Sequence, residues 1–513
     1  VLDTILNWLL RGAFLAMGIG AAIALARLTR ALWKERRERW AVRIAFGMLL
    51  LAGVYTAGHA KLLLEKQELE EGRRMYSRFG DPRLTEQRRG ETRGWILDCS
   101  GSSRDALARY ATQGGEIRRV YPLGEATANL VGGGREADER DYTVERLFAE
   151  ELREPASLTE SGELHPVGTD LRLTLCAAPT RAAWQLLSSA RKPGAVVVQD
   201  VRSGAVVAYA ATGGPDDPPL GIKRYAPPGS VFKLALAALW WESGLGDPPI
   251  PCPASIQVTE RSAIRNYEMK ARGIVQGPTG MLVPSCNTAA VWMAQQMRER
   301  LGERAFTEAY RRYGFEPYVG RPSTDTTRAF WSTSSEAWAR RMNPSPSRIR
   351  MGEKTGRQEW AQLAIGQGPV DVTPIAVSRF VQSIGNGGVM LPPTLEMPRA
   401  ERPEEGTRVM SAATAQKLQR AMLAVVDSGT ARSTLPLLEG LGWDLGGKTG
   451  TAQIAGRPDD GWFAGLVFGP DGRPRYTVVV YLRGGGPGGR EPAAIAAGVT
   501  RVLARTAPAA RRG

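Results

Sequence analysis

Ser230 stands three residues before Lys233 in Pro227-Pro228-Gly229-Ser230-Val231-Phe232-Lys233. The two prolines and the glycine hold off a helix as far as Gly229, and the apolar run Leu234-Ala235-Leu236-Ala237-Ala238-Leu239-Trp240-Trp241 demands a buried one. Ser230 is therefore expected at or beside the first helical turn, with Lys233 on the same face. Apolar surroundings depress the pKa of an amine, and a neutral amine can take the proton of a neighbouring hydroxyl. A serine then becomes a nucleophile without histidine. The free N–H groups at such a helix start would also favour the oxyanion formed after attack.

Two further clusters carry compatible chemistry. Ser285-Cys286-Asn287 follows Val283-Pro284 and precedes Thr288-Ala289-Ala290-Val291-Trp292-Met293, so Ser285 or Asn287 also suits a helix N-cap. Lys448-Thr449-Gly450-Thr451 follows Gly446-Gly447 in a strand pattern. Gly450 leaves room for a peptide against the strand, and Lys448, Thr449 and Thr451 offer a cation and hydroxyl donors to a carboxylate. Weaker copies of the same spacings occur. Ser189-Ala190-Arg191-Lys192 reads as the solvated end of a helix, and Lys354-Thr355-Gly356 as a loop without flanking strand pattern. His59 and His165 are the only histidines, which leaves almost no material for a Ser-His-Asp triad. Cys99, Cys176, Cys252 and Cys286 show no CxxC spacing and no zinc set. Cys286 reads as a small packing residue rather than a nucleophile; a disulfide is open to it outside the cytoplasm, with any partner.

The elements that must position these residues read as an α+β arrangement. Residues 195–200 and 205–210 form a hairpin, and the next strong strands come only at 447–454, 461–468 and 476–482. A helical lobe is thus inserted into an antiparallel five-stranded sheet, with helices 180–190 and 492–503 flanking it and the site between sheet and lobe. Thr373 and Pro374 read as N-cap and first residue of a helix ending at Asn386-Gly387-Gly388. Gly484 to Gly489 reads as a flexible loop, and Trp462 and Phe463 as core or cleft wall. Before the sheet, residues 2–26 and 41–64 are two apolar stretches long enough to span a membrane, joined by a basic segment. The positive-inside rule keeps that segment cytoplasmic and exports the chain beyond residue 60. The formal charge of +15 comes without a nucleic-acid-binding pattern, so a surface facing anionic lipid or wall polymer is expected.

Ser-x-x-Lys at Ser230, Ser-x-Asn at Ser285 and Lys-Thr-Gly at Lys448, in that order, resemble the acyl-transferase motifs of penicillin-binding proteins and serine β-lactamases. Arg93-Gly94-Trp95-Ile96-Leu97-Asp98-Cys99-Ser100-Gly101 and Tyr121-Pro122-Leu123-Gly124 resemble the non-catalytic pedestal of class B penicillin-binding proteins, with Cys99-Ser100 departing from the usual Arg-Asn. The interval between residues 64 and 170 holds no room for a glycosyltransferase domain. The resemblance implies a membrane helix hairpin over 1–64, a stalk and short β-rich pedestal over 65–170, and a transpeptidase domain over 171–510. It implies a peptidoglycan D,D-transpeptidase in the cytoplasmic membrane, with its catalytic domain outside. Ser230 would be the nucleophile, Lys233 its base and Ser285 a proton relay. Asn287, Lys448, Thr449, Gly450 and Thr451 would bind substrate, with the N–H groups of Ser230 and Thr451 as oxyanion hole. No metal or organic cofactor is implied. Stem peptides and β-lactams are the implied ligands, and a SEDS-type glycan polymerase the implied partner; no nucleic acid is expected. A D,D-carboxypeptidase, or a silent cell-wall scaffold or β-lactam sensor, would share the same motifs.

Overall fold

Ala195, Val196, Val197 and Val198 are each fully buried in a computed structural model of the chain. The structure describes residues 93–506 apart from 114–115, 133–141, 154–167, 215, 316–329, 334, 346, 352–354 and 398–405, together with Ile23, Arg27, Arg30 and Gly47. The expected membrane hairpin, His59, His165 and Lys354 lie outside the described residues. Among the described residues no helix is long and apolar enough to cross a membrane.

The chain first builds a small unit from short strands. β1 (Ile96–Leu97) precedes the hairpin β2 (Arg109–Gln113) and β3 (Glu116–Val120), and pairs in parallel with β4 (Leu171–Arg172). Glu145 is held there by Arg93 at 3.0 Å and Arg119 at 2.9 Å. A disulfide joins Cys99 of this unit to Cys176, the N-cap of helix α1 (Ala177–Ser189).

The strands β5 (Gly194–Gln199) and β6 (Val206–Ala211) follow as the expected hairpin. Helix α2 (Lys233–Glu242) is buried from Lys233 through Trp241, so it is apolar all round rather than amphipathic. The inserted lobe contains the hairpin β7 (Ser255–Thr259) and β8 (Ser262–Arg265), then α3 (Asn287–Arg312), α4 (Pro374–Gly385) and α5 (Ala412–Asp427). Thr373 caps α4 through its side chain, which accepts from the Ala376 N–H at 3.3 Å, and Asn386 closes it, as the Thr-Pro and Asn-Gly-Gly signals predict.

The chain then returns to the sheet as β9 (Asp444–Ala452), β10 (Asp460–Phe468) and β11 (Pro474–Leu482), and ends in α6 (Glu491–Thr506). The five strands lie in the order β9-β10-β11-β5-β6, every pair antiparallel. α1 and α6 cover one face and α4 the other. Both faces are therefore covered, which is why β5 and β10 are buried along their whole length rather than alternately. Trp462 and Phe463 belong to this core. Within Gly484–Gly489, whose composition suggests a flexible loop, Gly488 is closely packed. A Cβ at Gly488 would stand 2.1 Å from the Trp462 carbonyl oxygen and 2.4 Å from that of Gly450.

Candidate active site

Gly229 begins the site because only a residue without a side chain fits there. Its φ is +54°, and an added Cβ would lie 2.5 Å from the Thr451 carbonyl oxygen. Its N–H donates to the Gly366 carbonyl at 2.8 Å, so the Gly366-Gln367-Gly368 turn braces it from the other side. Ser230 follows in the 3₁₀ turn Gly229–Phe232, directly before α2, where the sequence places it. Its side chain is half-buried, and its hydroxyl makes no hydrogen bond among the described residues.

Lys233, the first residue of α2, is 0 % exposed. Its amine points towards the second motif, donating to the Asn287 Oδ1 at 2.6 Å, the Ser285 carbonyl oxygen at 2.7 Å and the Ser285 Oγ at 3.3 Å. Lys448 is equally buried, and its amine donates to the Ser285 Oγ at 2.8 Å and the Thr449 carbonyl at 3.0 Å. One hydroxyl thus accepts from two lysines. With both lone pairs engaged, the Ser285 O–H remains to donate into the space beside it.

Neither amine keeps its ordinary proton affinity. Burial lowers the Lys448 pKa to about 7. Burial also lowers that of Lys233 well below the usual lysine range, and the Lys448 charge lowers it further. Two ammonium groups sharing one hydroxyl are mutually unfavourable, so the pair is set up to hold fewer than two protons at neutral pH.

The turn that carries Ser285 is unusual in itself. Ser285 has φ +58°, a left-handed conformation that costs a non-glycine residue roughly 1–3 kcal/mol. The N-cap of α3 is neither Ser285 nor Asn287 but Cys286, whose sulfur accepts from the Ala289 N–H at 3.3 Å. Cys286 is also bonded to Cys252, so the open pairing resolves as Cys99–Cys176 and Cys252–Cys286. That leaves Ser285 and Asn287 free to face the lysines instead of capping.

Thr449, Gly450 and Thr451 lie on β9, paired with Phe463, Trp462 and Gly461. Two further contacts reach this strand from outside it. The Thr430 and Thr449 hydroxyls share a hydrogen bond of 2.6 Å, and the Gln367 side-chain amide donates to the Thr451 carbonyl at 3.4 Å. Ser189 and Lys192 stay remote, at a helix end where Lys192 pairs with Glu491 at 2.7 Å. Gly356, from the rejected Lys-Thr-Gly copy, is the N-cap residue of the helix Arg357–Ala364, not part of a strand. Among the described residues no group of His, Cys, Asp and Glu could hold a metal ion.

The family model of the penicillin binding protein transpeptidase domain matches residues 194–501, more than half of the chain. The chain belongs to this family. The match begins at the first strand of the sheet and ends within α6, so it takes in all three motifs. Penicillin-binding protein PbpB of Mycolicibacterium smegmatis is 28% identical over 337 residues, covering 58% of this chain and 46% of that protein. Peptidoglycan D,D-transpeptidase PbpA of Mycobacterium tuberculosis is 26% identical over 289 residues, covering 52% of this chain and 51% of that protein. The chain spans about half the length of these curated relatives. Its fold is similar to the D,D-transpeptidase domain of a peptidoglycan glycosyltransferase from Eggerthella lenta, with TM-score 0.64 and 22% identity over 81% of this chain and 98% of that one. It is also similar to the penicillin G acyl-enzyme complex of penicillin-binding protein A from M. tuberculosis, with TM-score 0.63 and 21% identity over 81% of this chain and all of that one.

Proposed function

We propose that the chain is a peptidoglycan D,D-transpeptidase that works through an acyl-enzyme on Ser230. The observation that carries this reading is the Ser285 hydroxyl, which accepts from two buried amines of lowered pKa beside the Ser230 turn. A scaffold has no use for two buried amines, whose desolvation destabilises the fold.

In this reading the Ser230 oxygen attacks the carbonyl carbon of the penultimate D-Ala of a stem pentapeptide, and its proton passes to the Lys233 amine, whose neutral form donates only two of its three hydrogen bonds and has a lone pair to accept it. The N–H groups of Ser230 and Thr451 stabilise the resulting oxyanion; the close approach of Gly229 to the Thr451 backbone supports that assignment. The C–N bond then breaks, and the terminal D-Ala leaves with the proton returned through the Ser285 hydroxyl. An amine of a second stem peptide attacks the ester carbonyl, the C–O bond to Ser230 breaks, and the amine's proton passes through Lys233 to the Ser230 oxygen as the cross-link forms. Asn287 holds the substrate amide. Lys448, Thr449 and Thr451 hold the terminal carboxylate, and Gly450 lets the peptide lie along β9. A β-lactam presents the same carbonyl and acylates Ser230.

The two disulfides support an oxidising compartment, hence a catalytic domain outside the cytoplasm. The proposed layout keeps residues 1–64 as membrane anchor, 65–170 as stalk and pedestal and 171–510 as the catalytic domain, with a SEDS-type polymerase as partner. The test supplies a pentapeptide ending in D-Ala-D-Ala together with a D-amino acid as acceptor. Release of D-Ala with formation of the exchanged peptide is expected. Release without exchange would make the protein a carboxypeptidase, and no release would contradict the enzyme reading.

A further inference from the structure

Three groups at the start of α3 need partners that α3 cannot supply. The first N–H groups of a helix have no acceptor within it, and Cys286 satisfies only that of Ala289. Asn266, the residue after β8, accepts from the Asn287 N–H at 2.8 Å and the Thr288 N–H at 3.1 Å through its Oδ1. Its amide nitrogen donates to the Pro253 carbonyl at 2.7 Å and the Lys270 carbonyl at 3.0 Å. Both lone pairs and both hydrogens of the side chain are therefore engaged, and the residue is 8 % exposed.

The same loop orients the functional amide. The Arg265 carbonyl accepts from the Asn287 Nδ2 at 2.8 Å, which turns the Asn287 Oδ1 towards the Lys233 amine at 2.6 Å. Ser285 precedes this anchor by two residues and holds its left-handed φ of +58°. A turn in such a conformation persists only where its surroundings determine it.

We propose that Asn266 is a positioning residue of the active site. It caps α3 from outside and so fixes the turn that offers Ser285 to both lysines and Asn287 to Lys233. Asn266 makes no contact with the reacting atoms and acts through Ser285 and Asn287. The inference rests on the proposed acyl-transfer function of that turn. An asparagine is suited because one side chain must both accept from two N–H groups and donate to two carbonyls. Aspartate keeps the two acceptors, and alanine loses all four bonds.

The test measures the saturation kinetics of acylation by a fluorescent penicillin, separating the acylation step from non-covalent binding. Asn266→Ala is expected to slow the acylation step about 10- to 100-fold, the loss of the two buried hydrogen bonds to the α3 N–H groups. Asn266→Asp is expected to recover at least about half of that loss on a logarithmic scale, because the N–H groups of α3 regain their acceptor. Gln382→Ala is the control for stability alone. Gln382 is buried in α4 and bonds the Val201 carbonyl and the Leu391 N–H, remote from the motifs. It is expected to lower the melting temperature without slowing acylation. An acylation step at the wild-type rate in Asn266→Ala, or slowed equally in Gln382→Ala, overturns the inference. Should Asn266→Ala not fold, Asn266→Asp decides alone: a rate as low as that of Ser285→Ala overturns the inference, and a higher one upholds it. Wild-type protein that is not acylated at all contradicts the proposed function instead, so the two failures are distinct.

Discussion

Replacing Lys448 by methionine separates what the buried amine does for catalysis from what it costs the fold. The Lys448 pKa falls from 10.5 in the unfolded chain to about 7 in the folded one. That displacement corresponds to on the order of 5 kcal/mol of destabilisation when both states are protonated. Below pH 7 both states carry the charge and the full cost is present. Between pH 7 and 10.5 the folded state has lost its proton while the unfolded state keeps it, so wild-type stability rises with pH. Methionine has similar length and no charge, and its stability lacks this contribution. Against the gain stand the two lost hydrogen bonds, to the Ser285 Oγ and the Thr449 carbonyl, each worth about 1 kcal/mol net. Lys448→Met is therefore expected to be about 2–4 kcal/mol more stable than wild type at pH 6, with the advantage shrinking by about 1.4 kcal/mol per pH unit above 7. Loss of the Lys448 charge also raises the Lys233 pKa, a change of the same sign at low pH. Urea unfolding of both proteins from pH 6 to 9, followed by tryptophan fluorescence, gives the comparison. In parallel, acylation by penicillin should fall at least about 10-fold, since a charge-assisted hydrogen bond to Ser285 is gone. Unfolding curves whose separation does not change with pH would exclude a lowered Lys448 pKa, and a variant less stable at pH 6 and unimpaired in acylation would exclude both roles of the amine.

Gly229→Ala places a methyl group 2.5 Å from the Thr451 carbonyl oxygen in a backbone conformation with φ +54°, so the Ser230 turn must move away from β9. Acylation is expected to slow by about 100-fold or more, as for loss of an oxyanion-hole donor; an unchanged rate would show that Ser230 and Thr451 do not act together. Removing the Cys252–Cys286 bond in the Cys252→Ala, Cys286→Ala double variant frees a loop with sequence separation 34. Chain entropy puts the loss near 3–4 kcal/mol, and an unfolding midpoint equal to that of the oxidised wild type would contradict it.

Much of this site was legible because it depends on local pattern. Pro227-Pro228-Gly229 before an apolar run places Ser230 at a helix start, and the structure puts it in the 3₁₀ turn leading into α2. The strands were readable from their apolar runs, although β9 begins at Asp444 rather than at residue 447. Asp444, Leu445 and Gly446 gain strand structure by pairing with Phe468, Val467 and Leu466, and that pairing is not local. The composition of Gly484–Gly489 hides one close contact for a related reason. Glycine permits mobility, but here it permits close packing of Gly488 on Gly450. The direction of the Lys233 amine, the disulfide partners, Asn266 and Thr430 were hidden because each depends on segments distant in sequence. Asn266 is 21 residues from Asn287 and looks like any turn asparagine, since nothing in Arg265-Asn266-Tyr267 marks the helix it caps.

Every other assignment in the site depends on Ser230 forming the acyl-enzyme. Intact-protein mass spectrometry after incubation with a fluorescent penicillin tests it most directly, on wild type and Ser230→Ala. One adduct on wild type, mapped to the peptide containing Ser230 and absent from the variant, is the predicted result. Folded wild-type protein without an adduct, or an adduct that persists in Ser230→Ala, would contradict the account.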